Sequence, residues 1–93
     1  MPYVLTSLGQ IRRHQQRYAE AEQLFQDAVE IGMANANPYS AAIAWRCLGQ
    51  TYAETARPDQ ARTALQHSLD LLAPLGFSRE IERTRRLLEP LNR

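Results

Sequence analysis

Residues 43–71 read IAWRCLGQTYAETARPDQARTALQHSLDL, and their spacing decides the architecture. Trp45, Leu48, Gly49 and Tyr52 recur at helical spacing on one face. Ala61, Leu65, Ser68 and Leu69 do the same after Pro58. Two amphipathic helices joined by a short turn at Pro58 make a helical hairpin. Gly49 and Ala61 are small where two antiparallel helices approach, at roughly 8–10 Å between axes. Trp45 and Tyr52, two turns apart, fill the space beside that contact. Glycine inside a helix costs about 1 kcal/mol against alanine, so it persists only where close packing returns more. These residues read as core rather than as a site.

Working outward, the hairpin has a copy. A shift of forty positions lays Leu8 on Leu48, Gly9 on Gly49 and Gln10 on Gln50. It also lays Arg17 on Arg57, Ala21 on Ala61, Phe25 on Leu65 and Gln26 on Gln66. The pattern W-x2-L-G-x2-Y followed by A-x3-F is the signature of the tetratricopeptide repeat. Trp45, Leu48, Gly49, Tyr52 and Ala61 match it, with Leu65 in the Phe place, so the segment resembles that family. The first hairpin resembles it through Tyr18, Ala21, Phe25 and Ala28. There Leu5 stands in the Trp place and Arg12 in the Tyr place, which points to a more exposed end of the first helix. The period of forty exceeds the family's 34 residues. The extra residues fall around 32–37, which implies a longer second helix or a longer loop.

The remaining elements follow from caps and stripes. The first helix covers 2–15, with Leu5, Leu8, Gly9 and Ile11 on its packing face. The second runs from Tyr18 to about Ala34, with Leu24, Phe25, Val29 and Ile31 in its stripe. Asn37 is an N-cap with Pro38 at the first helical position, opening a helix over 38–55. Pro58 and Asp59 open the fourth, to residue 72 or 75, and Gly76 is a left-handed cap. Ser78 caps a last helix over 79–91, striped by Ile81, Thr84, Leu87, Leu88 and Leu91. The expected fold is all-α: antiparallel hairpins stacked as a short right-handed solenoid. It is one domain over 1–93, with repeat one about 2–34, repeat two about 38–75 and a capping helix about 78–92. Arg79, Arg83, Arg86 and Glu89 read as the solvated face of that cap. Residues 65–88 also resemble the helical-repeat regions of bacterial regulatory ATPases and transcription activators.

Composition removes several functions. The chain has 93 residues and a formal charge of +1, with eleven Arg and no Lys. That balance gives no global pull toward nucleic acid or an acidic membrane. One cysteine, Cys47, excludes an internal disulfide and a cysteine-based zinc site. No apolar run approaches the ~20 residues that span a bilayer, and no leader opens the chain. A cytoplasmic protein is the expectation. His14 and His67 lie on different hairpins with no second ligand one turn away, so no metal site is expected. Ser40, Ser68 and Ser78 lack a nucleophile-elbow context, and no glycine-rich phosphate loop exists. The expectation is therefore no enzyme and no cofactor. Arg83, Arg85 and Arg86 offer a weaker nucleic-acid reading, offset by Glu80, Glu82 and Glu89 and by the lack of interleaved aromatics.

The resemblance implies that the first helix of each hairpin faces a concave surface that binds a peptide or partner helix. Carried onto this chain, that face holds Tyr3, Thr6, Gln10, Arg13 and His14, then Ile43, Arg46, Gln50 and Glu54. Gln and Arg there can satisfy the backbone and carboxylates of a bound segment. The Lys and Asn clamp of chaperone-tail readers is absent, because Thr6, Gln10 and Cys47 occupy its places. The leading expectation is a protein-interaction module for a peptide, a partner helix or another copy of itself. The alternative is a sensory or regulatory segment of a larger bacterial activator or ATPase. Repeat arrays usually need three units, and this chain holds two and a half. Tyr3, Val4 and their apolar neighbours are then left uncovered, which implies a homo-oligomer, most simply a two-fold dimer, or a longer array.

Overall fold

A computed structural model describes the backbone of residues 2–92 and the side chains of 4–92. Five α-helices follow one another: α1 (Pro2–His14), α2 (Tyr18–Ala34), α3 (Pro38–Glu54), α4 (Pro58–Leu72) and α5 (Ser78–Leu88). From α2 onward they start at residues 18, 38, 58 and 78, a pitch of twenty residues. Each helix packs mainly on the next in sequence, and α1 also reaches α3. The forty-residue period is therefore two helices with two three-residue turns. Its excess over 34 lies in helix length, not in a longer loop.

The first three turns share one device. Gln16, Ala36 and Ala56 adopt left-handed backbone at φ 62°, 53° and 59°. The following amide then reaches back five residues, from Arg17 to Arg12 O, Asn37 to Gly32 O and Arg57 to Tyr52 O, at 2.8–2.9 Å. This is the Schellman ending built without glycine. Asn37 accepts a bond from the Ser40 amide at 3.2 Å, with Pro38 behind it, as its N-cap role requires. The fourth junction differs: α4 gives way to a 3-10 turn, Ala73–Leu75, and Gly76 at φ 72° reverses the chain.

The core is made by the repeat. Phe25, Leu48, Leu65 and Leu72 are fully buried, each worth about 1.5–3 kcal/mol of transfer free energy. Gly9 lies against the Phe25 ring and Gly49 against Leu65, so the two hairpins close through equivalent contacts. Gly32 abuts the Ala41 backbone, which sets the approach of α2 to α3. Ser68 donates to Ala42 O at 2.8 Å inside the α3–α4 contact. Arg57 pairs with Glu22 at 2.5 Å and lies 4.8 Å from the Tyr52 ring centre, linking the two repeats. Both groups of that pair keep some solvent, so its contribution is modest.

Four details depart from the sequence reading. Ile11 and Ile31 are exposed, because α1 and α2 turn those positions away from the hairpin contact. Ser78 begins α5 instead of capping it; the residue before the helix is Phe77, whose ring packs at a tilt against Tyr39, 4.8 Å between centroids. The final helix stops at Leu88 and continues as a 3-10 turn, Glu89–Asn92. There Leu91 O accepts from Arg62 at 2.8 Å, tying the end onto α4.

Candidate functional site

The alternating, antiparallel course of the helices puts α1, α3 and α5 along one side. Between them lies a groove of about 390 Å³ lined by Gln10, Arg46, Gln50, Arg83, Arg86 and Leu87. One wall comes from each of the three helices. Helices α2 and α4 form the other side.

Its side chains are linked across helices. Arg13 pairs with Glu54 and so joins α1 to α3. The Arg13 Nε also donates to Gln10 Oε1 at 2.8 Å, and Gln10 Nε2 donates to Cys47 Sγ at 3.3 Å. Arg46 pairs with Glu80, joining α3 to α5, with side chains only 14% and 16% exposed. Charged partners held out of water interact more strongly than surface pairs, so this bond orients α5 on the groove. Arg83 is 3.9 Å from Glu80 and Arg86 is 3.3 Å from Glu82. Both guanidiniums are largely exposed, so each carboxylate is a loose, replaceable partner.

Of the residues expected on this face, Gln10, Arg46 and Gln50 line the groove, and Arg13 and Glu54 brace it through their ion pair. Thr6 is half-buried. His14 is exposed at the end of α1, outside the lining. The Tyr3 side chain falls outside the described residues. Glu80, Arg83, Arg86 and Leu87 were not anticipated here; Arg83 and Arg86 read as solvated cap. The signal was present. Continuing the forty-residue shift carries Ile43 to Arg83, Arg46 to Arg86 and Cys47 to Leu87.

Charge is divided between the two sides. The groove helices carry Arg12, Arg13, Arg46, Arg79, Arg83, Arg85 and Arg86 against Glu54, Glu80 and Glu82. Helices α2 and α4 carry Glu20, Glu22, Asp27, Glu30, Asp59 and Asp70 against Arg62. A chain of +1 overall is thus basic on the groove side and acidic behind it. Burial pushes the Cys47 thiol up to about 11, and the nearby Arg46 and Arg13 only partly offset this. A thiol held protonated is a packed side chain rather than a nucleophile. His67 stacks its ring 4.5 Å from Trp45 on the other side. Among the described residues, no cluster of three His, Cys, Asp or Glu groups could hold a metal, and no helix is long and apolar enough to cross a membrane.

The family model for the tetratricopeptide repeat matches residues 1–73, covering α1 to α4. Comparisons with curated proteins and with solved structures gave no match. The repeated Gly–aromatic and Gly–leucine contacts, the sequential helical hairpins and this match agree: the chain belongs to the tetratricopeptide repeat family.

Proposed function

We propose that this chain is a non-catalytic protein-interaction module whose inner groove takes a peptide segment rich in carboxylates and short of basic residues. The observation that carries this reading is the pair of exposed arginines, Arg83 and Arg86, beside Gln50 and Leu87 in that groove. A guanidinium offers a planar fork to a carboxylate, and Gln50 offers an amide to a peptide backbone. Leu87 gives the segment an apolar contact. The acidic α2–α4 side repels the same ligand, which fixes the side of approach. Among the described residues, no aromatic side chain lines the groove to stack a base, which disfavours a nucleic-acid strand there.

The test is fluorescence anisotropy with a labelled Asp/Leu-rich peptide and its Asn/Leu counterpart. The acidic peptide binds, the neutral one binds at least tenfold more weakly, and added salt weakens the difference. Arg83→Glu with Arg86→Glu abolishes binding while the helical circular dichroism is kept, since both residues are exposed. Equal binding of the two peptides, or a double variant that binds as well as the parent, overturns the assignment.

A further inference from the structure

Arg57, Glu22 and Tyr52 show how this chain holds a cation. The guanidinium, carried by the turn between α3 and α4, lies 4.8 Å from the Tyr52 ring centre and 2.5 Å from the Glu22 carboxylate. Helices α2 and α3 run antiparallel. Eight residues forward on α2 and seven back along α3 therefore cover the same two turns, about 10–12 Å. That step carries Glu22 to Glu30 and Tyr52 to Trp45. The carboxylate and the aromatic ring recur, but the cation does not. Glu30 is exposed and, among the described residues, joins no ion pair and accepts no hydrogen bond. Here lies an open hollow of about 360 Å³, lined by Gln26, Val29, Glu30, Trp45, Leu48 and Tyr52.

The lining specifies a ligand. Tryptophan is the strongest of the aromatic rings toward a cation. A guanidinium is planar and weakly hydrated, so it can lie on a ring while donating to a carboxylate. Val29 and Leu48 offer an apolar wall to the methylene stem that carries it. A neutral group would leave the Glu30 carboxylate unused. An anion would be repelled by the six carboxylates of α2 and α4, which face only Arg62 on those helices.

We propose that this hollow takes the side chain of an arginine from a peptide partner, with the guanidinium against Trp45 and paired with Glu30. Trp45 and Tyr52 also line a second hollow of about 310 Å³, where α4 adds Asp59, Gln60 and Thr63. Its carboxylate, amide and hydroxyl serve the residues that flank the arginine. An arginine side chain alone, at a site this open, gains too little to stay bound. The two hollows together therefore fit a segment of chain rather than a free amino acid. They lie on the other side of the molecule from the groove, so this proposal stands or falls independently of acidic-peptide binding there.

Trp45 is the single tryptophan, and its emission reports directly on the hollow. The probe is a peptide free of Trp and Tyr, with one arginine among neutral residues. Its counterpart carries citrulline, which keeps the planar shape and loses the charge. The arginine peptide shifts the Trp45 emission saturably, and the citrulline peptide binds at least tenfold more weakly. N-acetyl-arginine amide also binds at least tenfold more weakly. Glu30→Gln weakens the arginine peptide about fivefold, with the helical signal unchanged because Glu30 is exposed. Glu20→Gln removes the same charge from α2 outside the hollow and changes affinity less than twofold. Equal binding of the arginine and citrulline peptides overturns the proposal. So does equal weakening by Glu30→Gln and Glu20→Gln, which would mean a diffuse acidic surface. N-acetyl-arginine amide binding as tightly as the peptide would overturn the peptide as the source of the arginine. A mass that climbs from 10.6 kDa with concentration, and does not in Glu30→Gln, would give the hollow to a second copy and overturn it too.

Discussion

Replacing Gly49 with alanine would put a methyl 2.6 Å from Leu65 Cγ and 2.7 Å from its Cδ2. Carbon atoms rest about 3.5–4.0 Å apart, so the overlap approaches 1 Å. Leu65 is 1% exposed and has no open side to move into. Two effects compete. Alanine is the better helix former by about 1 kcal/mol. Overpacking a filled core costs about 1–3 kcal/mol. The overlap is with a branched, enclosed side chain, so the second effect should win, for a net loss of about 1–2 kcal/mol. For a domain this size that lowers Tm by roughly 5–10 °C. Leu65→Ala alone should cost about 2–5 kcal/mol through its cavity. In the double variant the methyl added at position 49 enters that cavity, so the two changes cost about 1–2 kcal/mol less than their sum. Urea unfolding, followed by helical circular dichroism and by the fluorescence of Trp45, measures all four corners of the cycle. A Gly49→Ala variant more stable than the parent would refute the close approach of α3 and α4 at this point. So would additivity within about 0.5 kcal/mol.

Gly76→Ala should cost about 1 kcal/mol through backbone strain alone, because φ is 72° and nothing lies within 4 Å of the added methyl; thermal unfolding reads it. Asn37→Ala removes the bond to the Ser40 amide and should cost about 1 kcal/mol in the same assay. Cys47 predicts a pH dependence. The unfolded thiol loses its proton near pH 9 and the native one only near about 11, so stability present below pH 9 declines between those values. At most about 2–3 kcal/mol is at stake. The difference between the parent and Cys47→Ala, measured by urea unfolding from pH 8 to 11, should show the decline; parallel curves would contradict it.

Much of this fold was legible because packing needs small and large residues at fixed helical intervals. Gly9 with Phe25 and Gly49 with Leu65 leave a periodic trace, and Asn37–Pro38 and Pro58 mark helix starts. The ends of α1 to α4 also fall within a residue of the expected 15, 34, 55 and 72, because the next helix start bounds each turn. The left-handed backbone at Gln16, Ala36 and Ala56 was not legible, since the glycine that usually announces it is missing there. The exposure of Ile11 and Ile31 depends on the angle between neighbouring helices, which hydrophobic spacing alone does not specify.

The groove was legible in part for a related reason. Gln10, Arg46 and Gln50 sit on first helices, and their face follows from the repeat. The contribution of α5 depends on how a cap lacking Trp and Gly docks, and that docking is held by the Arg46–Glu80 pair across 34 residues of sequence. Charge division between the two sides emerges only when the helices alternate in space, since acidic and basic residues are interleaved along the chain.

The central claim is that an acidic segment occupies the groove between α1, α3 and α5. Backbone amide NMR shifts, recorded while the labelled chain is titrated with the Asp/Leu-rich peptide, test it most directly. The account predicts saturable shifts clustered at Gln10, Arg46, Gln50, Arg83 and Leu87, with α2 and the outer side of α4 quiet. Shifts centred on the acidic α2–α4 side, or spread evenly over the surface without saturation, would contradict it.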